Sequence, residues 1–303
     1  MEWALRFEAP AKVNLLLTVG ERDTAGYHRV ETIMQAVDLC DLVEVRRTER
    51  GVDLACRGTD VGPDEKNLAY RAARAFLREV RPEGGVHVSL TKRVPSGAGL
   101  GGGSSDAAAV LRLANRLWGR PLDSSSLAEL GAALGVDVSF FLGPGTRALG
   151  EDRGDRLTPL PPLPEASVVL VLPPVHVSTA EAYGWLDAAR AHAGGGGSPG
   201  SARASVPEVP ACWDAVAKAA ENDFETVVPA AVPEVARALK ELRETDPSLA
   251  LLSGSGGACF AVYRAPARAR AAFGRLRPKW PDGSVVLTRT LSTWPAVRRF
   301  AGT

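Results

Sequence analysis

Several classes of protein are disfavoured by what this chain has little of. Cysteine is scarce, with four residues among 303, and Cys40, Cys56, Cys212 and Cys259 are too scattered to indicate disulfides or a zinc site. Apolar runs stay short of the roughly 20 residues that a membrane span needs. The N-terminus shows neither the charged segment nor the apolar core of a signal peptide. We therefore expect a cytoplasmic protein that does not act within a membrane.

An excess of charge of either sign is also missing. The 36 basic and 35 acidic residues leave a net charge of +1, so no global field attracts nucleic acid or a membrane surface. The length predicts two domains, each with its own core. The proline-rich run at 159–164 places them at 1–160 and 161–303. The second domain contains a glycine-rich segment at 193–210, whose composition predicts a flexible loop.

Glycine is abundant where a predicted strand meets a predicted helix. Five glycines fall within seven positions, 97–103, after the alternating pattern of 86–90 and before a helical pattern that begins near Ala107. Glycine allows positive φ and close approach to a ligand, and a helix N-terminus offers free N–H groups to an anion. We expect Ser104 or Ser105 to cap this helix and Asp106 to lie in its first turn. The segment predicts a phosphate-binding loop.

Two known phosphate motifs fit this loop poorly. Gly97, Gly99 and Gly102 match the GxGxxG spacing of dinucleotide-binding folds, which also need an acidic strand end about 20 residues later. Asp123 lies at that distance, but its neighbours are typical of a helix start. The P-loop requires a lysine directly after the last glycine, where this chain has Ser104. A tight turn without any ligand is the remaining alternative, and we favour phosphate binding on a different fold.

The rest of the chain predicts an α+β protein with a few polar residues set in apolar surroundings. A strand pair covers 3–20 and is expected to break at Pro10. The polar candidates are Lys12 and Asn14 on one side of a strand, Tyr27 and His28 after a turn, and Asp137 between apolar residues. Each also has an ordinary interpretation, as a solvated face, a surface turn or a hydrogen-bonded cap.

Three separated blocks together resemble the GHMP kinase superfamily. They are PAKVNLLLTV near the start, PSGAGLGGGSSDAAAVL in the middle and LLSGSGGACFAV near the end. Within that superfamily, AGYHRVET, EKNLAYRAARAF, VSTAEAY and ENDFE are similar to the 4-diphosphocytidyl-2-C-methyl-D-erythritol kinases of non-mevalonate isoprenoid biosynthesis. The resemblance extends from about residue 8 to the end, apart from the segment at 193–210.

The resemblance implies a two-domain fold, a reaction and a set of partners. The N-terminal domain would have a ribosomal-protein-like fold and the C-terminal domain a ferredoxin-like fold, with the active site between them. The reaction would transfer the γ-phosphate of ATP to the 2-hydroxyl of a substrate that carries cytidine diphosphate. Mg²⁺ is expected with ATP, held by phosphates and water, because the sequence offers no dedicated metal site. A monomer or weak homodimer is expected.

The resemblance also implies residue roles. Asp137 would be the base that accepts the hydroxyl proton, with Lys12 as its charged partner. The residues implied to bind ATP are Asn67, Lys92, Pro95, Ser96, Gly97, Ala98, Gly99, Leu100, Gly101, Gly102, Gly103, Ser104 and Ser105. Those implied to bind the substrate are Asn14, Tyr27, His28, Tyr183, Gly256 and Gly257, with the two tyrosines stacked on cytosine and His28 at the base edge. Ser139 departs from the family, which usually has proline after Asp-Val.

Two alternatives to this kinase remain open. The first is another kinase of the superfamily that acts on mevalonate-type or sugar alcohols. The pair Tyr27 and His28 argues against it, because such substrates have no base to stack. The second is a non-catalytic regulator that binds nucleotides, and the presence of Lys12 with Asp137 argues against that.

Overall fold

The structure is a computed structural model, and it describes residues 3–58, 64–192 and 209–301. The loop predicted at 193–210 therefore lies, except for its last two residues, outside the described residues. Within the described ranges, two β-sheets carry helices on their faces, which confirms the predicted α+β fold. None of the helices in these ranges is long and apolar enough to cross a membrane.

The elements follow one another along both halves of the chain. The strands are β1 (Trp3–Arg22), β2 (His28–Thr48), β3 (Val52–Arg57), β4 (Gly85–Thr91), β5 (Arg147–Glu151), β6 (Arg156–Pro159), β7 (Ser167–Val171), β8 (Glu221–Asn222), β9 (Leu249–Leu252), β10 (Cys259–Tyr263), β11 (Val285–Arg289) and β12 (Arg298–Ala301). The α-helices are α1 (Leu68–Val80), α2 (Gly102–Leu117), α3 (Ser124–Leu134), α4 (Val136–Leu142), α5 (Thr179–His192), α6 (Trp213–Ala219), α7 (Val228–Ala231), α8 (Pro233–Arg243) and α9 (Pro266–Leu276).

The first sheet is built around the long antiparallel pair β1 and β2. Its order is β12-β1-β2-β4-β3, with β5 and β6 continuing from β2, and β8 running parallel to β1. Helices α1 and α2 cover it, and their alanines and Phe76 share one core with strands β1, β2 and β4. Since β8 and β12 come from the second half of the chain, both halves contribute to this sheet. The boundary at 160 stays a prediction.

The expected break at Pro10 was wrong, because β1 runs without interruption from Trp3 to Arg22. Pro10 is paired with Cys40, and the next residue, Ala11, is paired with Val37, so β2 bulges at this point. A proline has no N–H group to give to the ladder, and a bulge is the usual place for it within a sheet. The strand can therefore continue past Pro10 to Lys12.

The second sheet has the order β11-β7-β10-β9 and is antiparallel throughout. Val169 and Val171 of β7 belong to a core shared with helices α5, α8 and α9. Val168 and Leu170, on the opposite face, belong to a core that also contains Val13 of β1. Burial on both faces explains why β7 is apolar at every inner position. The core on this second face packs the two sheets together.

Candidate active site

The glycine loop between β4 and α2 depends on left-handed backbone at alternate residues. Gly97, Gly99 and Gly101 have φ of +70°, +82° and +69°, a region that residues with a Cβ rarely adopt. Space is also limiting. A Cβ at Gly97 would overlap the ring of His176, and one at Gly101 would lie 3.1 Å from Lys12 Cγ. Both the backbone and the packing therefore require glycine in this loop.

Helix α2 begins at Gly102, earlier than the serine caps predict. Gly101 is its N-cap residue and offers no side-chain cap, whereas Ser104 and Ser105 lie inside the first turn. The capping prediction was wrong because the two glycines before Ser104 take helical conformation, and for the same reason Asp106 follows the first turn instead of lying in it. The first N–H groups of a helix have no partner within it, so this end is suited to an anion. The buried hydroxyl of Ser105 also has no hydrogen-bond partner among the described residues.

The carbonyl groups of the loop are held by the body of the protein. Three in a row accept hydrogen bonds: Ala98 O from Ala258 N at 3.1 Å, Gly99 O from Ser253 Oγ at 3.0 Å, and Leu100 O from Lys12 N at 2.9 Å. Two of these donors belong to the second glycine turn, between β9 and β10. Because these three carbonyl oxygens are hydrogen-bonded to the protein, the negative ends of their peptide dipoles are directed at protein donors. The loop is thus fixed in a form that suits a phosphate.

Lys12 and Asp137 form an ion pair near the end of this loop, and the catalytic roles implied for them stay a prediction. Lys12 Nζ lies 3.7 Å from Asp137 Oδ2, and it donates to Asn14 Oδ1 at 2.8 Å. Asn14 Nδ2 in turn donates to Thr32 Oγ1 at 2.7 Å. The lysine side chain is 6% exposed and the aspartate 34%. A buried, oriented ammonium therefore stands beside a carboxylate that a ligand can reach, in the first turn of α4.

Lys92 lies in a buried cluster of charges beneath the start of α2. Its ammonium contacts the carboxylates of Asp41 and Asp106, the latter at 2.7 Å. Burial lowers the pKa of Lys92, but the two carboxylates outweigh it and raise the pKa overall. Burial raises the pKa of Asp106 to about 7 against the pull of the Lys92 ammonium. The predicted contact of Lys92 with adenosine stays a prediction, while its structural partners are these two carboxylates.

Asn67 is the N-cap residue of helix α1. Its Oδ1 accepts from Ala69 N at 2.9 Å. Its Nδ2 is buried and has no hydrogen-bond partner among the residues described. An unpaired buried donor is costly unless a ligand or solvent satisfies it. This unpaired donor supports the prediction that Asn67 binds ATP. No contact in the structure tests that prediction.

Two of the three predicted cytosine contacts lie against each other. The rings of His28 and Tyr183 stack with centroids 5.1 Å apart and an interplanar angle of 27°. His28 Nδ1 is 2.9 Å from Gly20 O, and Nε2 is 3.0 Å from a carboxylate oxygen of Asp187. Tyr27 is 59% exposed. Nδ1 of His28 is thus hydrogen-bonded within the protein, whereas the buried Nε2 lies at ion-pair distance from Asp187 without hydrogen-bond geometry, and its contact with a base edge stays a prediction.

Gly256 and Gly257 are buried against neighbouring segments. A Cβ at Gly256 would overlap the backbone of Ala98 and Gly99, and one at Gly257 would lie 3.0 Å from Val175 Cγ2. Both glycines therefore have a packing role, and Gly256 lets the second glycine turn close against the phosphate loop. Their predicted contact with the substrate stays untested.

Comparison with known proteins assigns this arrangement to a family. Residues 67–145 match the model for the GHMP kinases N terminal domain, and residues 209–282 match that for GHMP kinases C terminal. A 4-diphosphocytidyl-2-C-methyl-D-erythritol kinase of a Geobacter species is 40% identical over 86% of this chain and 89% of its own length. One of Shouchella clausii is 37% identical over 95% of this chain and 96% of its own. The chain belongs to the 4-diphosphocytidyl-2-C-methyl-D-erythritol kinase family.

A solved structure agrees with this assignment to the kinase family. A crystal structure of 4-(cytidine 5'-diphospho)-2C-methyl-D-erythritol kinase is 34% identical, with a TM-score of 0.76 over 94% of this chain and 98% of that one. The predicted family and fold are confirmed. Ser139, the departure from the family pattern, lies in the first turn of α4, and the helix forms with serine there.

Several residues that shape the site of this kinase were missed by reasoning from sequence. Thr32 fixes Asn14, Ser253 fixes the phosphate loop, and Asp41 pairs with Lys92. Asp41 and Ser253 are fully buried polar residues next to apolar strand residues, and that pattern was a usable signal. The described residues contain no group of three or more His, Cys, Asp and Glu that could hold a metal ion.

Proposed function

We propose that this chain transfers the γ-phosphate of ATP to the 2-hydroxyl of 4-diphosphocytidyl-2-C-methyl-D-erythritol. The proposal rests on the identity of 34–40% to kinases of that name across most of the chain. The geometry that supports it is the ion pair of Lys12 with Asp137 at the end of the glycine loop. It would be an ATP-dependent phosphotransferase of isoprenoid precursor synthesis.

The chain's own residues divide the reaction between positioning and charge. The N–H groups of the loop and of the first turn of α2 would bind the ATP phosphates. Asp137 would accept the proton of the acceptor hydroxyl, and its partial exposure leaves room for that group. Lys12, held by Asn14, would stabilise the negative charge that develops during transfer.

Mg²⁺ would accompany ATP and neutralise charge on its phosphates. The unpaired hydroxyl of Ser105 is an oxygen donor of the kind that Mg²⁺ prefers, and phosphates and water would supply the other ligands. Location in the cytoplasm, action as a monomer or weak homodimer, and the lack of nucleic acid or membrane partners are further parts of the proposal, based on the sequence.

A comparison of acceptors tests this function. ADP release from ATP would be measured with the purified protein and the cytidyl substrate, mevalonate or homoserine. We expect kcat/KM for the cytidyl substrate to exceed the other two by at least about a hundredfold, equivalent to about 2.7 kcal/mol. Equal rates with mevalonate or homoserine would contradict the proposal and favour another kinase of the superfamily.

A further inference from the structure

Tyr27 lies in a tight turn that is organised by the carboxylate of Asp23. Asp23 Oδ1 accepts from Ala25 N and from Tyr27 N, each at 2.9 Å, and Asp23 N donates to Tyr27 O at 2.6 Å. The backbone around Tyr27 is therefore set by one side chain, whose second oxygen is available to another group.

Arg153, from the connection between β5 and β6, occupies that second oxygen and one face of the Tyr27 ring. Its Nη2 donates to Asp23 Oδ2 at 2.6 Å and its Nε at 3.2 Å. Its guanidinium carbon lies 4.1 Å from the centroid of the Tyr27 ring. A planar cation over an aromatic face is attracted by the ring quadrupole. Asp23 thus orients Arg153, and Arg153 covers the ring.

The ring is nevertheless mostly open to solvent, with Tyr27 59% exposed. A ring this exposed can be reached by a ligand from solution, and its aromatic face suits stacking on a planar group. With Arg153 on one face, the opposite face is left for a planar ligand. Holding the ring in place beforehand spares the ligand the cost of ordering it.

We propose that Arg153 is a positioning residue that holds Tyr27 for stacking on the cytosine of the substrate. The inference rests on the proposed function and adds to it a residue that the family resemblance did not assign. The bound arrangement would be a stack of guanidinium, phenol and base. Arg153 would contact the Tyr27 ring and Asp23 rather than ATP or the reacting atoms, so it should act on KM for the cytidyl substrate alone.

The test is a double-mutant cycle with two single variants, Arg153→Met and Tyr27→Leu. Arg153→Met should raise KM for the cytidyl substrate roughly two- to fivefold, the range of an exposed cation–π contact. It should leave kcat and KM for ATP unchanged. Arg153→Lys keeps a charge for Asp23 but lacks the planar face, so it should restore only part of the affinity. In the Tyr27→Leu background, Arg153→Met should add nothing.

Arg237→Met is the matched control. Arg237 also lies over an aromatic ring, that of Trp280 at 4.6 Å, and also contacts a carboxylate, that of Glu241 at 3.2 Å. Its loss should leave KM for the cytidyl substrate unchanged. An unchanged KM in Arg153→Met would overturn the proposal. The proposal would also be overturned if Arg153→Met raised KM for the cytidyl substrate equally in the unaltered protein and in the Tyr27→Leu background. Arg153 would then support only the shape of the turn.

Binding of CDP in the absence of ATP separates this proposal from the proposed function. If the unaltered protein transfers no phosphate to the cytidyl substrate, the function is wrong, and the same cycle is then read from the Kd for CDP by calorimetry. A coupled loss in that cycle supports the stack. Failure of CDP to bind the unaltered protein overturns it.

Discussion

Gly99→Ala should weaken both the fold and ATP binding, because Gly99 combines left-handed backbone with a close contact. Its φ is +82°, and a Cβ there would overlap the carbonyl oxygen of Ser253 and lie 3.1 Å from Gly256 N. The atoms in the way are backbone, which cannot rotate aside. The phosphate loop and the second glycine turn would have to move apart.

The size of the effect follows from two contributions. Left-handed backbone costs alanine about 1–2 kcal/mol, and the restricted unfolded chain returns about 0.4–1 kcal/mol. Separation of the two turns would also break the bonds to Gly99 O and Ala98 O, at about 1 kcal/mol each. We expect Gly99→Ala to lower the free energy of unfolding by about 3 kcal/mol.

Gly119→Ala supplies the matched comparison. Gly119 has a φ of +78°, and a Cβ there meets nothing within 4 Å, so this variant carries the backbone cost alone, about 1 kcal/mol. Urea unfolding would measure both variants, and steady-state kinetics would measure KM for ATP. We expect KM for ATP to rise about tenfold or more in Gly99→Ala, which corresponds to about 1.4 kcal/mol of lost binding, and to stay unchanged in Gly119→Ala. Equal stabilities with an unchanged KM would refute the reasoning.

Three further substitutions test the site. Asp137→Asn should lower kcat by about 10²–10⁴ while the Kd for ATP, from calorimetry, stays within a few-fold; near-normal turnover would exclude Asp137 as the base. Asp106 has a pKa raised by burial from 3.8 to about 7, so the folded chain holds a proton there that the unfolded chain releases, and stability falls as pH rises between those values. Asp106→Asn removes this dependence. In urea unfolding, the free energy of unfolding of the variant should therefore rise relative to that of the unaltered protein from pH 4 to 7 and stay level above pH 7. A difference in free energy that is the same at every pH would contradict the assigned pKa. Thr32→Val leaves Asn14 Nδ2 without its acceptor, which should cost about 1–3 kcal/mol of stability and lower kcat by misplacing Lys12; an unchanged kcat would show that Lys12 needs no such support.

Local chemistry accounts for what could be predicted from the sequence. Three predicted features depend only on residues that are neighbours in the chain: the glycine loop, the helix after it, and the placement of Lys12 and Asn14 on one side of a strand. The structure contains all three features. The Pro10 break failed because the bulge that accommodates proline belongs to the partner strand β2. The predicted serine cap was wrong because the two glycines before Ser104 already take helical conformation, so the helix begins before either serine.

Contacts between segments that are distant in the chain could not be predicted from the sequence. Nothing in the sequence near Lys92 indicates that Asp41 would neutralise it, and nothing near Tyr27 points to Arg153. Such pairs form only when the strands and connections of the first sheet are assembled. The family resemblance supplied the partner of Asp137 by analogy, and the geometry places Lys12 beside it.

The position of the transferred phosphate tests the central claim most directly. The purified protein would be incubated with ATP and 4-diphosphocytidyl-2-C-methyl-D-erythritol, and the product would be examined by phosphorus NMR with carbon coupling. The account predicts one new phosphomonoester on the 2-hydroxyl carbon beside an intact diphosphate, and loss of the phosphomonoester signal in Asp137→Asn. Phosphate on another hydroxyl, or ADP formed without a phosphorylated acceptor, would contradict it.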